Sequence, residues 1–271
     1  MWGMGEMIRS AWLPLTPRGV AAFAHATTGR LWLVQFIFAL LSATAVGWFM
    51  ENNLFPTISR AITQLPETGE VRTQKLDWRG VSPAMLADSG LLALTVDLEH
   101  SGEVRPVADV QVEFGKTDFR VRSLFGVMEG SYPAGWVIAF NSTELKPKWG
   151  AWRPAFLAGA VGGTVVWLIM TWSLLALLYA PVIRLVGEFA DRDLNLGGSW
   201  RLAGAALMPG AVIMVASIFA YGIGLMDLVS LLFAFGVHLA AGWVYVFLSL
   251  LFVPGLTGVG KKSNPFASRS K

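Results

Sequence analysis

The side chains that could carry acid–base or metal chemistry are few in this chain. It has three histidines, His25, His100 and His238, and no cysteine. The lack of cysteine excludes disulfides, thiolate nucleophiles and thiolate metal ligands. The histidines fall before the first apolar stretch, in the polar segment after it, and inside the last apolar stretch, so they cannot meet in one site. We expect no metal centre and no cofactor, and no catalytic residue is singled out.

His238 is set apart from the other two because it lies ten residues into its apolar stretch. Polar groups at that depth are costly and often functional. A neutral imidazole needs only one or two hydrogen-bond partners, and no carboxylate lies deep in any apolar stretch to form a proton relay with it. The sequence favours a structural role and leaves a functional one open. Candidate partners on the other stretches are Gln35, Thr44, Thr171, Ser173 and Ser217.

A helix breaker, Pro209 followed by Gly210, interrupts the third apolar stretch. Proline removes a backbone donor and kinks a helix, and neighbouring helices, serines and threonines can satisfy the freed carbonyl. The pair predicts a kink that is either static architecture or a hinge beside a cavity. Asp227 ends the tight turn 224–227 that leads into the fourth stretch, and it is a further polar candidate.

Three other motifs carry weaker signals. The stretch GLTGVGKKS at 255–263 resembles a phosphate-binding loop, but it lacks the serine or threonine after the first lysine and does not follow a strand. Glu188, Asp191 and Asp193 surround Arg192, which favours a solvated loop over a cation site. Asn141 opens an Asn-Ser-Thr pattern typical of glycosylation acceptors.

Composition identifies the class of protein. Of the 271 residues, 54% are hydrophobic and 14% are charged, and the mean hydropathy is +0.55. Soluble domains carry about a quarter charged residues, so this composition predicts an integral membrane protein. The pI is near 9.3, but the net charge is only +3 and is spread over several segments, which argues against nucleic-acid binding.

Four stretches are long enough to cross a bilayer: 31–50, 155–180, 202–223 and 228–253. The first is expected to be retained as an anchor, because no small-residue cleavage site follows it. The segments 1–30, 181–201 and 254–271 hold ten basic and four acidic residues, whereas 51–154 holds eleven basic and thirteen acidic. The positive-inside rule therefore predicts cytoplasmic termini and an extracytoplasmic segment 51–154.

The segment 51–154 is the candidate aqueous domain. Ile58, Ile62 and Leu65 follow helical spacing and predict a short stalk helix that Pro66 ends. Period-two alternation then predicts five strands, and residues 115–118 predict a hairpin turn between the third and fourth. The predicted fold is a bundle of four transmembrane helices with a small β-rich α+β domain inserted between helices 1 and 2. The strands are expected near 71–73, 92–98, 110–114, 119–121 and 136–140.

The sequence also predicts the structure of the two ends of the chain. Residues 1–30 should form an interfacial segment on the cytoplasmic side, in which Thr16 and Pro17 begin a short helix. The tail 254–271 is rich in Gly, Ser, Lys and Asn and is expected to be disordered.

Small residues recur every fourth position on the predicted membrane helices. Such stripes let helix backbones approach closely in lipid. They predict helix packing against neighbours and allow an oligomer through the same faces. The pairs or triplets are Gly159 with Gly163, Gly236 with Ala240, and Ala39 with Ala43 and Gly47.

The pattern of Thr16-Pro17 before the first span, and of Trp200-Arg201-Leu202-Ala203 running into Ala206 and Pro209, is similar to that of Yip-type multispanning bacterial membrane proteins. These motifs touch about thirty residues, and the large inserted domain departs from the compact members. The resemblance implies a non-enzymatic membrane protein that acts through partners or lipids, and it transfers no catalytic residue.

The leading functional hypothesis is a non-catalytic polytopic membrane protein whose extracytoplasmic domain binds an envelope partner or a subunit of a larger membrane complex. The alternative is a small transporter or channel component that uses the kinked third helix and His238. A third hypothesis, a lipid-modifying or intramembrane enzyme, is disfavoured because no nucleophile, metal or nucleotide motif is recognisable. The expected partners are membrane lipids and one or more proteins.

Overall fold

The computed structural model describes residues 14–255 and divides them into two compact units. The first, here the helical unit, comprises 14–45 and 162–255, and the second, here the sheet unit, comprises 46–161. The predictions for residues 1–13 and for nearly all of the C-terminal tail lie outside the described residues. The helices are α1 (Pro17–Ala22), α2 (Thr28–Phe49), α3 (Phe55–Gln64), α4 (Ser142–Phe189), α5 (Leu196–Ala206), α6 (Met208–Gly222) and α7 (Leu228–Leu250).

Four helical segments are long and apolar enough to cross a membrane. Two of them are much longer than the predicted spans, because the helix continues beyond the apolar residues. The first runs from α2 through a π-helical turn (Met50–Leu54) into α3, which confirms the predicted stalk helix. Their bounds are Thr28–Gln64, Ser142–Phe189, Leu196–Gly222 and Leu228–Leu250.

The N-terminal helix α1 is held in the helical unit by its own cap and by α5. Thr16 accepts a hydrogen bond from the backbone of Gly19 at 3.1 Å, and Pro17 occupies the first turn, as predicted. The guanidinium of Arg201 on α5 donates to the carbonyls of Phe23 and Ala24 in the 3₁₀ turn after α1, at 3.3 and 2.8 Å. The unit's core includes Phe23, Leu31, Ile183, Leu202, Met208 and Val246, all nearly inaccessible.

The break predicted at Pro209 is present. The helical segment is interrupted at Leu207, and Pro209 lies in the first turn of α6, where its missing donor costs nothing. Because Pro209 has no N–H, it cannot donate to the carbonyl of Ala205, four residues before it. That carbonyl accepts from the backbone N–H of Leu207. The third predicted span is therefore two helices, α5 and α6, rather than one kinked helix.

The sheet unit holds eight strands in two sheets. A five-stranded sheet has the order β3-β4-β5-β6-β7, and a three-stranded sheet has the order β2-β1-β8. All neighbouring strands are antiparallel except β4 and β5, which are parallel and joined by the crossover 97–109. The strands are β1 (Glu70–Arg72), β2 (Lys75–Asp77), β3 (Ala84–Asp88), β4 (Leu92–Val96), β5 (Val110–Phe114), β6 (Asp118–Ser123), β7 (Gly126–Ser131) and β8 (Ile138–Ala139).

The five predicted strands correspond to β1, β4, β5, β6 and β8, and the predicted turn 115–118 joins β5 to β6. Three strands, β2, β3 and β7, were not predicted. In β3 a register shift between Met85 and Ala87 breaks the alternation of side chains. In β7 the sequence Gly-Val-Met-Glu-Gly-Ser has no alternation to detect.

The chain enters and leaves the strands of the sheet unit at one place, where Asn141 caps α4. Its side-chain oxygen accepts from the backbone of Glu144 at 2.9 Å, and its amide donates to the Gly69 carbonyl at 2.9 Å. The backbone of Ser142 donates to the Pro66 carbonyl at 2.9 Å. Because the Asn141 side chain is buried and bonded in this way, it serves as a cap and is not presented as a glycosylation acceptor.

The hydrophobic core of the sheet unit depends on α3 as well as on the strands. Ala61 and Leu65 are buried against the same cluster as Val96, Tyr132 and Phe140. A fragment that begins at Pro66 would lack both Ala61, on α3, and Leu65, directly after it.

We predict that a fragment of residues 55–149 folds as a soluble β-rich unit, whereas a fragment of 66–149 is less stable. The shorter fragment loses the buried side chains of α3, and each large buried side chain contributes about 1.5–3 kcal/mol. Urea unfolding followed by circular dichroism measures the difference. Equal midpoints for the two fragments would show that α3 is not part of this core.

Candidate functional site

The β6–β7 hairpin carries a group of exposed apolar side chains in the sheet unit. Leu124 and Phe125 form its two-residue turn and are 56% and 80% exposed. Val127 and Met128 follow on β7 and are 61% and 62% exposed. We call these four residues and the rest of β7 the hairpin surface. Val127 and Met128 lie on opposite faces of the strand, because Val127 opposes Arg122 and Met128 opposes Val121. Exposed apolar residues grouped at one edge of a domain are typical of protein-binding sites.

The strand β7 is also an edge of the five-stranded sheet. Gly115 donates to the Asp118 carbonyl across the β5–β6 turn, so the even-numbered residues of β6 direct their backbone groups toward β5. The odd-numbered residues of β6 direct their backbone groups toward β7. There Phe119 is paired with Gly130 and Val121 with Met128. By the alternation of an antiparallel ladder, residues 127, 129 and 131 direct their N–H and C=O groups away from the sheet.

The opposite edge, β3, is protected, whereas β7 is not. The register shift in β3 distorts its ladder, and α3 packs against that strand. Native sheets usually guard edges with lysine, proline, bulges or covering helices. In β7 the only charged residue is Glu129, and its carboxylate lies 2.9 Å from Arg120 on the neighbouring strand. The β7 edge therefore keeps the features that favour pairing with another strand.

One row of side chains links the core to the hairpin surface. Leu94, Val112, Val121 and Met128 oppose one another across four consecutive strands. Leu94 packs against the buried cluster, and the two valines are half-buried. The row ends at the exposed Met128, so the apolar face of the sheet continues uncovered to its edge.

The opposite face of the sheet carries a charged cluster around His100. The two ring nitrogens of His100, in the crossover, contact the carboxylates of Glu113 and Asp118, the second at 3.1 Å. Arg122 lies 3.2 Å from Glu113, and Arg120 pairs with Asp118 more distantly, at 3.8 Å. The cluster fastens the crossover 97–109 to β5 and β6.

The electrostatics of this cluster favour an imidazolium. Burial of the ring acts to lower the pKa of His100, but the hydrogen bonds to Glu113 and Asp118 outweigh burial and raise that pKa. The hydrogen bond from His100 in turn lowers the pKa of Asp118. With a carboxylate on each nitrogen, the ring has no free nitrogen with which to activate a nucleophile. The arrangement is a clamp rather than a catalytic base.

An open groove of about 590 Å³ lies beside the Asn141 cap. Its carboxylates are largely paired: Asp77 with Arg79, Glu70 with Arg72, and Glu144 with Lys148. Across residues 14–255 no group of three histidine or acidic side chains could hold a metal ion. The groove therefore has neither a metal-ligand set nor an unpaired charge cluster.

Gln35, predicted as a partner for His238, lies instead in the helical unit's core. It is 0% exposed, and both polar atoms of its amide lack hydrogen-bond partners among the described residues. A Cβ on Gly204 would lie 3.0 Å from its nitrogen, so α5 packs directly over the amide. Of the other candidates, Thr44, Ser173 and Ser217 each donate to a carbonyl of their own helix.

The structure brings Gly210 and His238 together. A Cβ on Gly210 would lie 2.5 Å from the His238 carbonyl oxygen, so glycine allows α6 and α7 to approach closely. The His238 ring contacts the Phe235 carbonyl of its own helix at 2.5 Å through Nδ1. Pro209 is buried beside this crossing. These contacts are those of tight helix packing.

The remaining candidates lie apart from that crossing. Asp227 caps α7 by accepting from the backbone of Ser230 at 2.8 Å. Gly159 and Gly163 lie on α4, and no described atom comes within 4 Å of a Cβ built on either. Glu188 pairs with Arg184 on the surface of α4, in keeping with a solvated acidic loop.

The hairpin surface and the His100 clamp were both missed from the sequence. A turn of Leu and Phe carries none of the Gly, Asn or Asp residues that mark hairpins. The one available signal was Gly126, which has a φ of +116° at the first position of β7. The partners of His100 are 13 and 18 residues away, across a crossover whose path the sequence pattern does not reveal.

We predict that the crossover loosens as the pH rises above neutrality. The folded pKa of His100 is raised, so its contribution is complete below the unfolded value of about 6.5 and is lost as pH rises through the folded value. Amide hydrogen exchange of residues 97–109 in the full-length protein, corrected for intrinsic rates, should accelerate at high pH. The variant His100→Gln should show no such pH dependence. An unchanged pH profile in that variant would assign the effect to another group.

We also predict that Gln35→Met stabilises the helical unit. The substitution removes a buried amide without partners, whose desolvation costs about 1–3 kcal/mol. Thermal unfolding in detergent should give a higher melting temperature. The matched control is Ser42→Ala on the same helix, where the hydroxyl bonds only to the Phe38 carbonyl, and the change should not exceed about 1 kcal/mol. A lower melting temperature for Gln35→Met would mean that the amide has a bound partner such as water.

Comparison with known proteins does not identify the chain: no protein-family model, no curated protein and no solved structure is significantly similar to it. The Yip-type resemblance therefore stays a prediction. The function has to be inferred from the geometry described above.

Proposed function

We propose that this is a non-catalytic, multi-pass protein of a bacterial inner membrane whose sheet unit binds another protein outside the cytoplasm. The four apolar helical segments support membrane insertion. The excess of basic residues in 1–30, 181–201 and 254–271 supports cytoplasmic termini, and the balanced charge of 51–154 supports an extracytoplasmic sheet unit.

The observation that carries the proposal is the hairpin surface. Four consecutive or near-consecutive apolar side chains are exposed there, next to a strand whose outward backbone groups are unpaired within the sheet. Exposed apolar side chains are unfavourable in water, and the outward backbone groups of an edge strand are free to pair with an extended segment of protein, which would cover both.

Two observations support a binding role over an enzymatic one. The only cluster in the described part of the sheet unit that resembles catalytic machinery, His100 with Glu113 and Asp118, is saturated by its own ion pairs. The groove beside Asn141 offers paired carboxylates and no metal-ligand set among the described residues. Neither is arranged to activate a nucleophile or a water molecule.

The transporter alternative receives less support. It requires space between α6 and α7 near His238, whereas Gly210 lies against the backbone of His238 at that level. The buried polar atoms of the helical unit that lack a partner among the described residues are few: the Gln35 amide, the Ser199 hydroxyl and Nε of Arg192. The Gln35 amide lies against α5 rather than in open space.

The test is photo-crosslinking in living cells. A benzophenone amino acid at Phe125 should give defined protein adducts, because that side chain is 80% exposed at the tip of the hairpin surface. The matched control carries the same amino acid at Val107, which is 89% exposed in the crossover. Adducts that are absent at Phe125, or the same at both positions, would refute a docking role for the hairpin surface.

A further inference from the structure

We infer that the strand that pairs with β7 is β7 of a second copy of this chain. The inference rests on the proposed function, since it names the protein bound at the hairpin surface. It follows from the sequence Leu124 to Tyr132, Leu-Phe-Gly-Val-Met-Glu-Gly-Ser-Tyr, which is complementary to itself when two copies run antiparallel.

Geometry restricts the possible registers. Two copies of one edge strand are related by a twofold axis perpendicular to the sheet, so the apolar faces of both sheets lie on the same side. Two residues that oppose each other across the new pairing must then point to the same face of the sheet. Because side chains alternate between faces, the twofold axis passes through a residue and its own copy rather than between two neighbouring residues. The outward-facing residues 127, 129 and 131 must also meet each other to form hydrogen-bonded pairs.

Charge selects among the registers that remain. An axis at Glu129 would place two carboxylates directly opposite each other, which is destabilising. An axis at Met128 avoids this, because it opposes Val127 of one copy to Glu129 of the other. Each Glu129 also keeps its own Arg120 at 2.9 Å, so its charge remains compensated at the new interface.

The register centred on Met128 also fits the shapes of the side chains. The two Met128 side chains meet on the apolar face, in a closely spaced non-hydrogen-bonded pair. Gly126 opposes Gly130 on either side of them. The ring of Phe119 already fills the space over Gly130, where a Cβ would lie 2.5 Å from the ring, whereas the space over Gly126 is open. Phe125 of one copy then lies opposite Ser131 of the other.

In this arrangement the two five-stranded sheets form one continuous sheet of ten strands. The unguarded β7 edge disappears, and the row of apolar residues that ends at Met128 continues into the second copy. The exposed turn residues Leu124 and Phe125 of each copy lie beside the end of β7 of the other. Pairing with β7 of a second copy thus accounts for both features that distinguish β7 from β3, the exposed apolar side chains and the open backbone edge.

The test is disulfide formation by single cysteines in the full-length protein, in membranes treated with copper phenanthroline. The natural chain has no cysteine, so each variant carries one. At the axis, the two Cα atoms of Met128→Cys are about 4.5 Å apart, within the range that a disulfide accepts. The matched control is Val127→Cys. Position 127 of one copy opposes position 129 of the other, so the two introduced cysteines are offset by two residues and their Cα atoms lie beyond a disulfide's reach of about 7 Å.

We expect Met128→Cys to give covalent dimer at least about tenfold faster than Val127→Cys, since only the first pair meets the geometric limit. Coexpressed Val127→Cys and Glu129→Cys should cross-link to each other, because these positions are opposed. Equal rates for Met128→Cys and Val127→Cys would overturn the proposed register, and no dimer with any of the variants would overturn self-pairing.

A second variant separates self-pairing from binding of a different protein. Met128→Lys places two like charges at the axis and should convert the purified protein from two copies to one by light scattering, whereas Val107→Lys should not. If Phe125 photo-adducts contain only other proteins and Met128→Cys gives no dimer, self-pairing is wrong and the proposed docking function stands. If Phe125 gives no adducts at all, both proposals fail.

Discussion

The strand-bearing part of the sheet unit depends on the hydrogen bonds that join its start, at residues 66–69, to its end, at residues 141–143. Asn141 caps α4 while its amide holds the Gly69 carbonyl, and Ser142 and Thr143 bond to the carbonyls of Pro66 and Glu67. These contacts close the insertion, so that Ser59 on α3 accepts from the Trp149 indole on α4 at 2.9 Å. Without this closure the two helices would leave the strands separately, and α3 would not cover the core.

In the five-stranded sheet, one edge strand, β3, is covered and the other edge strand, β7, is exposed. The strand β3 has a register shift and packs against α3. The strand β7 and the turn before it carry four exposed apolar side chains, and the outward backbone groups of β7 have no partner strand. Nearby, His100 stabilises the parallel pairing of β4 and β5 through charge rather than through a helix, which is the more usual crossover. The crossover is thus held by charge and β3 by α3, and the edge left exposed is the hairpin surface proposed to bind another protein.

The sequence was sufficient for features that depend on local periodicity. The spacing of Ile58, Ile62 and Leu65 predicted α3, and Pro209 predicted the break before α6. It was not sufficient where nonlocal contacts decide the structure. The Leu124-Phe125 turn has no turn signal, the β3 register shift hides its alternation, and the isolation of Gln35 arises from the close packing of Gly204 on another helix. Gly210 and His238 lie at a helix crossing and Asp227 caps α7, whereas no described atom packs against a Cβ at Gly159 or Gly163. The hairpin surface had no chemical signature in the sequence.

The proposed placement of the sheet unit and the C-terminal tail on opposite sides of the membrane is tested most directly by labelling single cysteines in intact spheroplasts with a membrane-impermeant thiol reagent. Ser101→Cys, in the crossover, should react at once, and Ser263→Cys should react only after the membrane is permeabilised, because basic residues are retained in the cytoplasm. Labelling of Ser263→Cys in intact spheroplasts, or of Ser101→Cys only after permeabilisation, would contradict an extracytoplasmic docking unit.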